Sequence, residues 1–161
     1  MSTPRLVRPT ATDLPGLSAL CLRAKAHWGY DAAFMAACVP VLTLSDTALA
    51  TGRMVMAVGP DATPLAVARV EMLALDHEPD QVPACDLDLL FVDPPAMGRG
   101  IGAQLFHWAE AQARDMGARR LLIEADPGAV PFYAHMGAQQ IGTAPSGAVA
   151  GRMLPLLALE L

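Results

Sequence analysis

Three closely spaced glycines, Gly98, Gly100 and Gly102, lie between an apolar segment that ends at Val92 and an amphipathic segment that starts near Ile101. Glycine adopts left-handed backbone conformations and lets the main chain approach a ligand closely. A helix that starts here directs unpaired N–H groups and the positive end of its dipole toward the same spot. The spacing therefore predicts an anion-binding loop, and we expect a phosphate ester as its ligand.

The same glycines formally satisfy a dinucleotide-binding fingerprint. Gly98, Gly100 and Ala103 have the spacing G-x-G-x-x-A, and Glu124 follows about 20 residues later. In a Rossmann unit, however, the glycine turn follows its strand directly. Here residues 93–97 intervene, and a helical region and an antiparallel hairpin precede the strand. This context argues against the Rossmann interpretation.

Hydrophobic periodicity places the glycine loop within a series of strands and helices. In chain order the first half predicts a strand within residues 4–10, a helix capped by Thr12 or Asp13 that ends near Gly29, a second helix from Asp31 to Cys38 that Pro40 stops, a helical turn over 46–50, and a hairpin of strands 54–58 and 64–75. The loop over 76–83 carries four ionisable residues. We expect it to be a solvated loop, with attraction of a cationic acceptor as the alternative.

The second half predicts one βαβ unit followed by an antiparallel end. The predicted elements are a strand over 85–92, an amphipathic helix from Ile101 to Gly117, a strand over 120–124, a short helix over 128–136, a strand over 139–141 and a final strand over 153–161. Pro155 predicts that the last strand lies at a sheet edge or contains a bulge. No repeat or linker interrupts the series, so we expect one domain over residues 1–161.

Composition narrows the class of partner. The chain has 161 residues, of which 53% are hydrophobic, and a formal net charge of −5. The acidic balance disfavours nucleic acid and accommodates a neutral or cationic small substrate more easily. Neither the three cysteines nor the four histidines have metal-ligand spacing, so no metal site is predicted. No secretion signal or bilayer-spanning stretch is evident, so we expect a cytoplasmic protein with no membrane partner.

Residues 85–105 resemble motif A of the GNAT superfamily of acyl-CoA N-acetyltransferases. In that motif a strand ends in Val-x-Pro and is followed by Gln or Arg and then by x-x-Gly-x-Gly or Ala at a helix start. The matching positions are Val92, Pro94, Gly98, Arg99, Gly100, Ile101 and Gly102. Residues 131–138, with a Phe-Tyr pair before a glycine, resemble the family's motif B. Two motifs in the correct order make the resemblance specific.

The resemblance implies an α+β fold: a mixed, mainly antiparallel sheet with one parallel βαβ unit and helices on both faces. It also implies acetyl-CoA as co-substrate. The cofactor-binding residues it implies are Leu90, Phe91, Val92, Met97, Gly98, Arg99, Gly100, Ile101, Gly102, Ala103 and Phe132. Two positions depart from the family pattern. Met97 replaces Gln or Arg, with a modest loss of affinity expected, and Gly128 replaces a frequent Asn, with loss of a side-chain contact.

In the family, an amine attacks the thioester directly, and the resemblance places the required groups. The motif strand and the next parallel strand part, so the backbone of residues 90–92 is free to pair with the pantetheine arm. An N–H near Leu90 or Phe91 would stabilise the oxyanion. Tyr133 matches the family tyrosine that protonates the departing thiolate.

A base is also needed, because an ammonium must lose a proton before it attacks. Asp86 is the first candidate, since it matches the position where relatives place a glutamate base; Glu71 and then Asp88 follow. Strand periodicity puts Asp86 and Asp88 on one face of the strand, and Leu87 and Leu89 on the other, unless a bulge intervenes.

The acceptor pocket is expected between the joint of the first two helices, the hairpin and the loop over residues 146–152. At the joint, His27, Trp28 and Tyr30 offer apolar surface with polar tips. Packing of Trp28 and Tyr30 into the core is the alternative. A small amine, an amino acid, an aminoglycoside and a peptide N-terminus all remain open as acceptors, and a homodimer is left open as well. The alternative function is a non-catalytic acyl-CoA-binding sensor or regulatory module of the same fold.

Overall fold

The computed structural model describes residues 3–74 and 82–161. Its strands are β1 (Arg5–Val7), β2 (Arg53–Val58), β3 (Pro64–Met72), β4 (Ala84–Val92), β5 (Arg120–Glu124), β6 (Gln139–Pro145) and β7 (Met153–Glu160). Its α-helices are α1 (Leu14–Ala26), α2 (Ala32–Leu42), α3 (Asp46–Thr51), α4 (Ile101–Asp115) and α5 (Val130–His135). Most of the predicted acidic loop over 76–83 lies outside the described residues, as does the last residue of the predicted strand over 64–75.

The strands form one seven-stranded sheet in the order β1-β2-β3-β4-β5-β7-β6. Neighbouring strands are antiparallel except for β4 and β5, which are parallel and joined through α4. This arrangement confirms the predicted mixed, mainly antiparallel α+β fold with one βαβ unit. Among the described residues, no helix is both long and apolar enough to cross a bilayer.

Helices cover both faces of the sheet because side chains alternate along each strand. On β2, Met54 and Met56 pack with Leu17 of α1 and Cys38 of α2. Between them, Val55 faces the opposite side and packs with residues of α4. The strands near the middle of the sheet are therefore buried on both faces, with the α1–α2 layer on one side and the α4–α5 layer on the other.

The parallel pair parts soon after it forms. In the described residues, β4 pairs with β5 only where Ala84–Asp86 lies beside Arg120–Leu122. Beyond that point β5 continues to pair with β7, while residues 87–92 of β4 pair with β3 alone. The predicted parting of these two strands is thus present, and it leaves a gap in the middle of the sheet.

A bulge changes the predicted facing of the β4 side chains. Across β3, Arg69 pairs with Leu89 and Val70 pairs with Leu87, so Asp88 is the extra residue. As a result Leu87 packs in the α4–α5 layer, whereas Leu89 packs in the α1–α2 layer. The exception that the prediction allowed, a bulge, is therefore present, and it places the two leucines on opposite faces of the sheet.

Two proline-based predictions are wrong. Pro40 does not stop α2, which continues to Leu42. Pro40 lies in the last turn, where its missing N–H removes one hydrogen bond without ending the helix.

Strand β7 is not an edge, since it lies between β5 and β6. Pro155 lies one residue beyond the end of β5, where its carbonyl accepts a hydrogen bond from the Ala125 N–H at 2.9 Å. The edge strand next to β7 is β6, and it carries the irregularity at Ile141.

Candidate active site

The glycine loop has the geometry of an anion-binding turn. Gly98 and Gly100 have φ values of +80° and +78°, and Gly100 is the N-cap residue of α4 with no side-chain cap. The first N–H groups of α4, including that of Ile101, therefore lack side-chain partners. The Ile101 side chain is buried in the core, so its contribution to a ligand would come through its backbone. Arg99 is exposed at the same turn.

A cavity of about 370 Å³ extends from Met97 and Gly102, on either side of this loop in the chain, into the gap between β4 and β5; we call it the cleft. Its lining includes Leu90 and Val92 of β4, Met97, Gly102, Phe132 and Tyr133. The Phe132 ring lies against Gly102, 3.5 Å from the place that a Cβ would take. The walls of the cleft are mainly apolar, and Met97 and Gly102 are the residues of the glycine-loop region that line it.

The open edge of β4 presents backbone groups to the cleft. The Asp93 N–H donates to the Leu65 carbonyl at 2.8 Å, so this residue faces β3. Because successive residues of a strand direct their N–H groups to opposite sides, Phe91 also faces β3, and Leu90 and Val92 face the gap. Of the two predicted oxyanion donors, the alternation therefore favours Leu90 over Phe91.

Tyr133 lies deep in the cleft wall. It is 7% exposed and packs against the rings of Phe106 and Phe132. Within residues 3–74 and 82–161, its hydroxyl has no hydrogen-bond partner. Burial raises its pKa well above the usual range, and the nearby Asp126 carboxylate raises it further. The hydroxyl therefore keeps its proton at neutral pH and is available to donate it.

A second cavity, of about 440 Å³, lies on the α1–α2 side of β4; we call it the polar pocket. Ionisable side chains that line it are Lys25, Arg69, Asp86, Asp88, Glu124 and Arg152. The polar pocket and the cleft share wall residues, among them Leu87, Asp88, Phe91 and Glu124. The two cavities therefore meet at β4, next to the point where the sheet opens.

Asp86 has the pKa of a base that works at neutral pH. Burial raises its pKa to about 7, and repulsion from Asp88, Glu124 and Glu71 adds to the effect, against the attraction of Arg69. Asp88 shows a smaller rise to about 6, again mainly through burial. Glu71 pairs with Asp86 across β3 and β4, and its side chain is 38% exposed. The structure thus brings the three predicted carboxylates together.

Arg69 holds this acidic group in place, and the sequence analysis did not identify it. The side chain is 4% exposed and donates to Asp88 at 2.6 Å and to Glu71 at 3.0 Å. It also donates to the Ala48 carbonyl and the Thr51 hydroxyl of α3. An arginine near the end of the apolar run over residues 65–70 was the available signal, because a charge on a buried strand requires partners.

The three residues predicted to contact the acceptor do not lie together in one cavity. Trp28 lines the cleft rather than the polar pocket, and His27 is exposed and lines neither. The Tyr30 ring stacks on Phe34 with centroids 3.8 Å apart, and its hydroxyl donates to Asp126 at 2.6 Å. Tyr30 therefore buttresses the boundary between the two cavities.

Comparison with known proteins agrees with this geometry. Residues 73–149 match the family model of the acetyltransferase (GNAT) domain. A GCN5-related N-acetyltransferase from Rhodopseudomonas palustris superposes with a TM-score of 0.77 at 21% identity, over 100% of this chain and 98% of that chain. The chain therefore has the GNAT fold, and residues 73–149 are similar to the GNAT acetyltransferase domain.

Other GNAT structures show the same fold at lower identity. A PaiA N-acetyltransferase from Thermoplasma acidophilum, solved in complex with coenzyme A, gives a TM-score of 0.77 at 14% identity and full coverage of both chains. The ribosomal-protein-S18-alanine N-acetyltransferase from Escherichia coli gives 0.65 at 17% identity, over 97% of this chain and 92% of that chain. Among curated protein sequences none matches. At these identities the similarity concerns the fold.

One departure from the GNAT pattern has a structural reason. A Cβ placed on Gly128 would lie 2.7 Å from two carbons of the Trp28 ring, which is closer than real side chains approach. Trp28 therefore occupies the space that an Asn at position 128 would need. The indole takes over this part of the cleft wall, and glycine at 128 is what allows it to lie there.

The structure also reveals a charged cluster at the cavity boundary that the GNAT motifs do not contain. Lys25 Nζ lies 2.8 Å from Asp126 Oδ2, and Arg152 Nη2 donates to the Tyr30 hydroxyl at 2.8 Å. These pairs join residues about 100 or more positions apart in the chain. No local pattern marks these pairs, so they were not predicted from the sequence, although the loop over residues 146–152 was expected at the acceptor pocket and does line the polar pocket.

Proposed function

We propose that the protein is an acetyl-CoA-dependent N-acetyltransferase that moves an acetyl group to the primary amine of a small molecule or peptide by direct attack. The observation that carries the proposal is the position of Asp86, whose pKa is near 7, beside the opening of the sheet where the polar pocket meets the cleft. An amine in the polar pocket would have a base on one side and the acyl donor on the other.

The residues of the cleft suit coenzyme A. The glycine loop and the uncapped start of α4 would hold the pyrophosphate through backbone N–H groups, with Arg99 alongside. The open edge of β4 over residues 90–92 would pair with the amides of the pantetheine arm as an added strand. Met97 and Phe132 supply apolar wall on either side of that path.

Acetyl-CoA supplies a thioester, and the chain's own residues carry the rest of the proposed mechanism. Asp86 accepts the proton that the ammonium must lose before attack. The Leu90 N–H donates a hydrogen bond to the carbonyl oxygen as negative charge develops there. After attack the nitrogen carries one proton more than the amide product, and this proton passes through water to the solvent. Tyr133 donates its proton to the departing sulfur and regains one from water, so a C–N bond forms, a C–S bond breaks, and the amide, the free thiol and one net proton are released.

The test is to incubate the protein with acetyl-CoA and a panel of primary amines while free thiol is measured and the acetylated product is identified by mass spectrometry. Thiol release that depends on an amine, with one acetyl group gained by that amine, supports the enzyme. A non-catalytic acyl-CoA-binding module would instead bind acetyl-CoA in calorimetry and release no thiol above background with any amine.

A further inference from the structure

The charged side chains of the polar pocket fall into two groups by origin and sign. The carboxylates Asp86 and Asp88 come from β4, and Glu124 comes from the end of β5. The cations Lys25 and Arg152 come from α1 and from the segment that precedes β7. In the described residues neither cation forms an ion pair with any of these three carboxylates, so the opposite charges of the pocket remain separated.

The cationic group carries one more positive charge than its partner can balance. Lys25 and Arg152 share a single carboxylate, Asp126, at 2.8 and 3.9 Å. The three side chains are only 11% to 20% exposed, so water screens the excess charge incompletely. An unbalanced, partly buried cation that faces a cavity favours binding of an anion.

Arg152 is held in position before any ligand arrives. Its guanidinium carbon lies 5.1 Å from the Tyr30 ring centroid and 4.8 Å from that of Phe34. Its Nη2 donates to the Tyr30 hydroxyl, which itself donates to Asp126. The backbone is fixed as well, since the Ser146 N–H donates to the Arg152 carbonyl at 2.8 Å. A stacked, tethered guanidinium presents its remaining N–H groups with little loss of side-chain entropy.

Those remaining donors match a planar or tetrahedral anion. Within residues 3–74 and 82–161, the only hydrogen bond from the Arg152 side chain is the one to Tyr30. A guanidinium has five N–H donors and binds carboxylate or phosphate oxygens in pairs. The ammonium of Lys25, at the same boundary, would add a second positive charge to such a site.

We infer that the natural acceptor carries an anionic group, a carboxylate or a phosphate, bound at Arg152 and Lys25 while its amine faces Asp86. The inference rests on the proposed acetyltransferase function and specifies its substrate class: amino acids and related aminoalkyl anions rather than simple amines. The two charged groups of the pocket then recognise the two ends of one small, zwitterionic molecule.

The experiment compares acceptors that differ only in the anion. The panel contains an amino acid, its carboxamide and its decarboxylated amine, together with an aminoalkyl phosphate and the corresponding amino alcohol. We expect kcat/KM to be about 10-fold to 100-fold higher for the anionic member of each set, as expected for a charge-assisted hydrogen bond. The set with the larger ratio distinguishes carboxylate from phosphate as the bound group.

Variants attribute the preference to the arginine. Arg152→Gln is expected to bring the ratio between anionic and neutral acceptors close to one, and Arg152→Lys to retain part of it. Arg114→Gln, which removes a half-exposed arginine on α4 far from the polar pocket, is the matched control and keeps the full ratio. If Arg152→Gln does not fold, the ratios of the wild-type protein decide the question.

Two outcomes overturn this inference without contradicting the proposed acetyltransferase function. In the first, the wild-type protein acetylates neutral and anionic acceptors with equal kcat/KM. In the second, Arg152→Gln leaves the ratio between anionic and neutral acceptors unchanged. Absence of thiol release with every acceptor, anionic or neutral, would instead contradict the proposed function itself. The two failures are therefore distinguishable in the same assay.

Discussion

Burial and nearby negative charges raise the pKa of Asp86. Burial and three neighbouring carboxylates all oppose its ionisation, and the one nearby cation, Arg69, is already engaged by Asp88 and Glu71. The result is a carboxyl group with a pKa of about 7, which is near the optimum for a general base at neutral pH. Burial, and after it repulsion from neighbouring carboxylates, would thus suit Asp86 to the proposed role of base.

Replacement of this base should alter the pH dependence of catalysis. In the wild type, kcat/KM should rise as the pH increases through about 7, because Asp86 must be deprotonated to accept a proton. Asp86→Asn should lower kcat/KM by about 10²-fold to 10⁴-fold and remove that limb of the profile. Steady-state kinetics between pH 5.5 and 9, roughly two units to either side of neutrality, measures both effects.

The matched control is Glu71→Gln, which removes one of the charges that repel Asp86. It should shift the limb to lower pH without removing it, because the Asp86 carboxylate becomes easier to form. A limb that survives in Asp86→Asn would assign the proton transfer to another group.

Tyr133 has the opposite character, since its burial favours the neutral, protonated form. Tyr133→Phe should lower kcat by about 10²-fold, at the lower end of the range for general acids, and leave the Kd for acetyl-CoA unchanged. Stability should not fall, because the hydroxyl has no partner to lose within the described residues and the ring packing is kept. Turnover kinetics and calorimetry test the claim, and unchanged turnover across the pH range would exclude Tyr133 as the acid.

Among the elements, α4 and the glycine loop before it form the most sharply defined unit. The helix starts at a residue with φ of +78°, which L side chains adopt only at a cost. The conformation at Gly100, rather than lack of space, requires glycine, because a Cβ there would meet nothing within 4 Å.

Gly100→Ala should therefore destabilise the protein by roughly 1–2 kcal/mol and weaken coenzyme A binding, since the loop must distort to relieve the strain. Urea unfolding and calorimetric titration measure the two effects. Gly16→Ala is the control: Gly16 lies in α1, also has open space around it, and has no positive φ. That change should stabilise the protein by about 0.5–1 kcal/mol and leave coenzyme A affinity as it was.

The sequence predicted these elements well where a local signal exists. The glycine spacing, the apolar stripe of α4 and the strand over 120–124 each follow from a short pattern, and the structure contains all three. The bulge at Asp88 has no such pattern, because it depends on the register with β3. The predictions from Pro40 and Pro155 were wrong for a related reason. The effect of a proline depends on where the helix turn or the neighbouring strand ends, and the local sequence does not show this.

At the scale of the molecule, the gap between β4 and β5 is an interruption in an otherwise continuous sheet. Residues 87–92 have a strand neighbour on one side only, so part of the hydrogen-bonding capacity of β4 is unused by the described chain. A ligand that pairs with this edge would complete the sheet and bridge its two halves.

Coenzyme A should for this reason stabilise the whole molecule. At a concentration of 100 times the Kd, the expected gain in unfolding free energy is about 2.7 kcal/mol, visible as a higher Tm. Hydrogen exchange should slow at the Leu90 and Val92 amides in particular, while the Phe91 amide, already directed at β3, changes less. Equal slowing at all three amides would argue against strand-like pairing in the cleft.

Contacts between distant parts of the chain set the limit of sequence-based prediction for the site. The base candidates and Tyr133 were found because they lie in or beside recognisable motifs. Arg69 and Lys25 were not, and for Arg152 only the position of its loop, residues 146–152, was predicted. The roles of these side chains arise from contacts with residues that are far away in the sequence or on other elements. Tertiary contacts therefore bring the residues of the polar pocket together, whereas most of the cleft can be recognised from sequence motifs.

The contact between Trp28 and Gly128 restricts how this site can diverge. Any side chain at position 128 collides with the indole, so that substitution is tolerated only after position 28 has become smaller or the ring has moved. Replacement of Trp28 can come first, because loss of the indole leaves Gly128 unchanged and only enlarges the cleft. Evolutionary paths through these two positions are therefore directional: Trp28 must be replaced, or its ring must move, before a side chain can appear at position 128.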